Sequence, residues 1–321
     1  MDRTPALDGI RAAAIAMIVA YHVDDRVVPA GYWGVILFFV LSGYLITRVL
    51  TAEEDRTGRI DVRAFYARRA LRVLPPLVVF CAVLFATGTD WSRVAATLGF
   101  YANYARVDGM DLGLLTHTWF VAIVGHFYVV WPLVIAAVPR RHRVRVVGVL
   151  ALAAIVWRVV AIQVASPGWV YNATDTNAAA LLAGAYLGVA RPGGWRWAGW
   201  SLPAVVALSL IPAFGERGAA FLWADFLALA LGVLVLQHAL TRPRWLEVSW
   251  LVSLGQVSYG LYLWHYVFVR IDIPLWTAVP LTAAATAGSW YLVEQPVQAL
   301  RDRFRRRRRT PPKDRRLTAE A

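Results

Sequence analysis

Ten apolar blocks, at residues 8–23, 33–50, 74–90, 117–138, 144–164, 176–191, 197–214, 219–239, 250–270 and 274–293, limit the folds open to this chain more than any other feature. A run of roughly 20 apolar residues is what a helix needs to cross the hydrocarbon core of a bilayer. Within the blocks the apolar residues run on without the spacing of a one-sided amphipathic helix, so the pattern predicts an all-α, polytopic membrane protein, a bundle of about ten transmembrane helices. With 59% hydrophobic and 17% charged residues, the composition excludes an ordinary soluble domain. The first block carries Arg11 and lacks a small-residue cleavage site before the second, so it reads as a retained span and not as a cleavable leader.

The net charge of +13 raises the question of nucleic acid, and its distribution answers it. Arg56, Arg59, Arg63, Arg68, Arg69 and Arg72 lie between blocks two and three, and Arg140, Arg141, Arg143 and Arg145 between four and five. Arg191 and Arg196, then Arg242 and Arg244, follow in the next alternate connections. The opposite connections hold only Arg26, Arg93, Arg106, Arg217 and Arg270. This is the positive-inside asymmetry, and it predicts both termini in the cytoplasm. The expected organisation is a membrane domain over 1–300 and a basic, disordered cytoplasmic tail over 301–321, where ten basic residues and the Pro311–Pro312 pair leave no apolar periodicity. Such a cluster reads as a topology signal or a contact with anionic lipid, not as a nucleic-acid site. Cys81, the single cysteine, permits no intramolecular disulfide and reads as packing. No paired His spacing suits a metal.

Polar residues inside the blocks are the candidates for function. At about 100° and about 1.5 Å per residue, Arg11 and His22 share one face of the first block to within roughly 20°, roughly 16 Å apart along its axis. A charge near the bilayer centre costs on the order of 2.5 to 3.5 kcal/mol, so this face is expected to line a bundle interior or a wet cavity. In block two, Ser42 and Gly43 read either as a nucleophile motif or, better, as small residues that let a helix approach closely. Arg68, Arg69 and Arg72 fall on one side of a short helix that Pro75 and Pro76 are expected to end. They fit a topology determinant and a phosphate clamp equally. Further along, His117, Trp119, His126 and Tyr128 occupy one aromatic stretch, where packing and function both remain open. His265 lies near the outer end of block nine, and Glu294, before Pro296, reads as an interfacial carboxylate facing a loop arginine.

Six stretches in order, LDGIR with His22 eleven residues after Arg11, FFVLSGYLI, FYARRALRVLPP, HTW followed by FYVVWPL, VSYGLYLWH and YLVEQP, resemble the acyltransferase family 3 of membrane O-acyltransferases. The resemblance runs from residue 7 to about 297. It implies an acyltransferase that takes an acyl group, expected to be acetyl, from cytoplasmic acyl-CoA as co-substrate. The group passes to a hydroxyl of a carbohydrate, glycolipid or secondary metabolite, with no tightly bound cofactor. It also implies essential roles for Arg11 and His22 and a donor site at Arg68, Arg69 and Arg72, while Ser42, His117, Trp119, His126, Tyr128, His265 and Glu294 stand beside them as candidates for substrate binding. An imidazole is suited to act as general base on the acceptor hydroxyl, and Arg11 to hold the donor or steady an oxyanion.

The chain also departs from the family pattern. The usual acidic residue in block two is Ile36, the usual glutamates before the aromatic stretch are Val124 and Gly125, and the frequent Thr-Arg-x-Asp opening block six is Thr176, Asn177, Ala178 and Ala179. Loss of these charges as a set avoids stranding one of them unpaired, and points to a changed acceptor or to lost activity. A transporter, or a catalytically silent family member, is the alternative. No hydrolase-like domain follows the last block, so the chain is expected to act alone or with a separate partner. Lys313 is the only lysine, which fits a GC-rich bacterial genome and hence a bacterial inner membrane.

Overall fold

The computed structural model describes residues 4–218 and 220–299; the tail assigned to 301–321 lies outside the described residues. Every helix named here is α, and among the described residues there is no strand. In chain order the helices are α1 (Pro5–Val23), α2 (Trp33–Thr57), α3 (Val62–Ala86), α4 (Trp91–Leu98), α5 (Ala102–Val107), α6 (Trp119–Ala137) and α7 (Arg140–Val164). They continue as α8 (Pro167–Asn172), α9 (Thr174–Ala190), α10 (Ser201–Leu208), α11 (Phe221–Ala239), α12 (Ser249–Gln256), α13 (Ser258–Arg270) and α14 (Leu275–Ser289). Six helical stretches are long and apolar enough to cross a membrane: α1, α2, α3, Gly113–Ala137 (α6 with the 3₁₀ turn before it), α7 and α11.

Of the other four apolar blocks, two stay helical throughout and two are broken. Block six forms α9, of 17 residues. The stretch 197–214 breaks into a 3₁₀ turn, α10 and a second 3₁₀ turn at Pro212–Phe214, as expected where a proline removes a backbone donor. Block nine is interrupted at Val257, whose φ/ψ of −89°/4° leave the helical range, and so yields α12 and α13. The last block is α14, which runs through a π turn at Trp290–Glu294 into further helix over 295–299.

A further expectation is overturned at Pro75 and Pro76, because α3 runs through both prolines to Ala86. Its start is secured by Asp61, whose carboxylate accepts from the Ala64 amide at 2.9 Å. Inside a bundle, groups on neighbouring helices take up backbone hydrogen bonding around a proline. Pro75 and Pro76 leave the Leu71 and Arg72 carbonyls without their helical donors, and at the next residue the Tyr259 hydroxyl donates to the Val73 carbonyl at 3.1 Å.

Small residues set the closest helix contact, as read for Gly43. A Cβ on Gly43 would lie 1.8 Å from the Leu181 carbonyl oxygen, and one on Gly184 would lie 1.9 Å from that of Val40. Helices α2 and α9 therefore touch backbone to backbone. Ser42 sits half-buried beside this contact. The Trp131 indole donates to the Thr47 hydroxyl at 2.7 Å and ties α6 to α2, while Cys81 is fully buried in the core. On α7, by contrast, Val149, Leu152, Val156 and Val164 are exposed, the apolar exterior of a lipid-facing helix.

Ion pairs between connections mark the two ends of the bundle. At one end Glu54 meets Arg143 and Arg140, Asp55 meets Arg191 at 2.6 Å, and Glu53 meets Arg68 at 2.8 Å. At the other, Asp25 meets Arg217 at 3.0 Å and the Tyr32 hydroxyl donates to the Phe214 carbonyl at 3.1 Å. Helix α1 starts at the first end and finishes at the second.

Candidate active site

The face of α1 expected to line a site is held at both ends by packed neighbours. Near its start, Arg11 donates to Asp8 at 2.6 Å, one turn back. The Asp8 side chain is buried, and α12 reaches it through Gly255, where a Cβ would meet the Asp8 carbonyl oxygen at 1.9 Å. The Asp8 and Arg11 spacing of three was legible in the sequence as a helix-face pair. The three arginines of α3 part company around this point. Arg68 is bound to Glu53, Arg69 lies over the rings of Phe65 at 5.4 Å and Tyr128 at 5.3 Å, and Arg72 is exposed, its charge acting on Arg11. Glu294 is the last residue of the π turn Trp290–Glu294. It is buried, with Ser289 donating to it at 3.4 Å, and the charge of Arg72 acts on it. One end of the site thus gathers Arg11, Asp8, Arg72, Tyr128 and Glu294, a set with two guanidinium groups near each other.

At the other end of α1 three histidines from three segments converge. His22 Nδ1 lies 2.9 Å from His265 Nε2, and His265 Nδ1 lies 3.0 Å from the Leu261 carbonyl oxygen. A carbonyl cannot donate, so His265 carries its proton on Nδ1 and presents a bare Nε2 to His22. His22 must then donate from Nδ1, which in the neutral ring leaves the lone pair on Nε2. The hydrogen-bond chain therefore selects the His22 tautomer with its proton on Nδ1 and a free lone pair on Nε2. Tyr266 packs edge-on against His22 with ring centroids 4.8 Å apart and stacks on His117 at 4.7 Å. His117 is buried and its backbone carbonyl accepts from the Tyr262 hydroxyl. Trp119 lies beneath Arg106 and packs on Tyr171 at 4.9 Å.

His126 stands apart from this cluster. Its Nδ1 lies 2.7 Å from the Thr174 hydroxyl, which also accepts from Asn103 at 3.1 Å, so it joins α6, α9 and α5 in a packing network. Two of the three places where the family pattern's charges are absent, at 36 and at 176–179 but not at Val124 and Gly125, open on charge of another origin. Ile36, Thr176, Asn177 and Ala179 border a cavity of about 20 Å³ together with Arg158 of α7 and Asp225 of α11. These two form an ion pair with 5% and 7% exposure, and Arg158 also donates to the Thr176 carbonyl at 3.1 Å. The bundle keeps a buried charge pair at this place, supplied by helices that do not carry the motif. Nothing in local spacing reveals the pair, because 67 residues separate its members.

Comparison with known proteins follows the same line. A sequence model described as an acyltransferase domain matches residues 4–294. The chain is 27% identical over 351 residues to the O-acetyltransferase OatA of Staphylococcus aureus (strain NCTC 8325 / PS 47), covering 92% of this chain and 57% of the relative. It is 28% identical over 350 residues to the putative peptidoglycan O-acetyltransferase YrhL of Bacillus subtilis (strain 168), covering 92% and 55%. The peptidoglycan O-acetyltransferase OatA of Listeria monocytogenes is 27% identical over 349 residues, covering 92% and 56%. The chain thus spans little more than half the length of these relatives. No solved structure matches it.

Proposed function

The chain belongs to the acyltransferase family whose domain it matches from residue 4 to 294, and on that premise we propose that it moves an acetyl group from acyl-CoA to a hydroxyl of a carbohydrate acceptor. The observation that carries this reading is the oriented His22, with its Nδ1 proton held by His265. In the proposed step, His22 Nε2 takes the acceptor's hydroxyl proton as the oxygen forms a bond to the thioester carbonyl carbon. Collapse of the tetrahedral species breaks the C–S bond, and the proton on His22 passes to the departing thiolate. Acceptor ester and free CoA are the products.

Arg11 and Arg72 form the donor end. Two guanidinium groups of like charge favour a ligand that brings negative charge between them, as the phosphates of CoA do. The arginine-rich connections on that side support its facing the cytoplasm, and His22 the opposite face. Three relatives whose names state O-acetylation, two of them of peptidoglycan, support a cell-envelope carbohydrate as acceptor. The test is transfer of labelled acetyl from acetyl-CoA to envelope glycans by the purified chain in lipid discs. Label in the glycan is expected, and label remaining wholly in acetyl-CoA would reject the reading.

His265 is a positioning residue in this scheme. His265→Phe is expected to lower kcat on the order of 10²-fold with KM for the acceptor little changed, since a wrong tautomer of His22 cannot accept the proton. His265→Gln, which retains an acceptor oxygen, should recover part of the loss. Equal loss in both variants would reduce His265 to a packing role.

A further inference from the structure

The connections at the His22 end carry few arginines, and each that remains there needs a reason. Arg93 is bound to Asp111 at 3.2 Å and Arg217 to Asp25 at 3.0 Å. Arg26 borders Asp25 and Glu216 at the rim of a cavity of about 240 Å³. Arg106 and Arg270 differ, because among the described residues neither forms an ion pair with a carboxylate. They lie on aromatic faces instead, Arg106 over Trp119 at 6.0 Å and Arg270 over Tyr266 at 5.2 Å. Tyr266 in turn touches His22.

Charges of both signs stand around the mouth. Those acting most on His22 are His265, His117, Arg270 and Arg106, with no carboxylate among them. One residue back on α1, Tyr21 instead feels Glu216 and Asp25 ahead of Arg106. Arg270 reaches His22 through Tyr266, and Arg106 covers Trp119, two residues on from His117, so both guanidinium groups border the histidine cluster, and guanidinium forks match the oxygens of carboxylate and phosphate.

We propose that Arg106 and Arg270 bind an anionic group, a carboxylate or a phosphate, on the acceptor whose hydroxyl is presented to His22. This rests on the acyl-transfer reading and narrows its acceptor class. The same arginines could instead steady the oxyanion of the tetrahedral species, and that role would serve charged and neutral acceptors alike.

The test compares methyl glucuronide, its uncharged methyl ester and methyl glucoside 6-phosphate, binding to the full chain in lipid discs without acyl-CoA, measured by calorimetry. At least one anion is expected to bind about tenfold more tightly than the ester, and the Arg106→Gln/Arg270→Gln variant to lose that preference while keeping its melting temperature. Which anion gains identifies the group. Absence of any anion preference in the wild type, including failure of both anions to bind, overturns the proposal. So does a preference that survives in the double variant. Binding is read without chemistry, so an anion preference without transfer rejects only the acyl-transfer reading, and transfer without a preference rejects only the anion site.

Discussion

His22→Ala is expected to lower acetyl transfer on the order of 10²- to 10⁴-fold in kcat, the range general-base catalysis supplies, while leaving CoA affinity near that of the wild type. The reason is geometric. His22 is held through Nδ1 by His265, and the substitution removes the only lone pair that this chain of hydrogen bonds orients toward the acceptor. CoA affinity is a useful control because the arginines assigned to the donor sit near the opposite end of α1, around Arg11 and Arg72. Replacing Arg72 by Gln should show the reverse pattern, weaker CoA binding with His22 chemistry intact at saturating donor. Labelled-acetyl transfer by reconstituted protein, with CoA binding measured in parallel, checks both. Transfer by His22→Ala at the wild-type rate would remove His22 from the mechanism.

The second large effect lies away from the chemistry. Arg158→Met or Asp225→Leu alone is expected to destabilise the protein by about 3–5 kcal/mol, because each leaves its partner as an uncompensated buried charge. The double substitution should recover most of that loss, since an apolar pair of similar volume needs no desolvation of ions. Thermal unfolding of the four forms in one detergent measures the coupling. Losses that simply add in the double variant would show that the two groups are independent, in conflict with their contact.

Much of the architecture was legible because the bilayer imposes its length on the sequence. Blocks one to six and block eight became continuous helices, since a long apolar run has no other way to satisfy its backbone in lipid. The legible part of the site was likewise helical. Arg11 and His22 share a face because eleven residues is close to three turns, and Asp8 falls one turn before Arg11. Proline was the poorer guide, because its cost in water is not its cost in a bundle. Pro75 and Pro76 lie inside α3, where Tyr259 reaches the backbone of the same turn.

The sequence by itself determined what local periodicity and charge counting can carry: an all-α membrane bundle, the family, and two ionisable groups on the first helix. Only the tertiary structure decided what those groups touch. His22 and His265 are 243 residues apart, and their contact, with the tautomer it selects, exists only once α1 and α13 pack together. Glu294 reads in the sequence as a carboxylate at a helix end, and its burial against Ser289 exists only in the packed structure. The charges absent at positions 36, 177 and 179 reappear in the same space from α7 and α11, as Arg158 and Asp225. Spacing along one helix fixes which side chains share a face, whereas compensation between helices depends on distances in space, which a linear motif does not record.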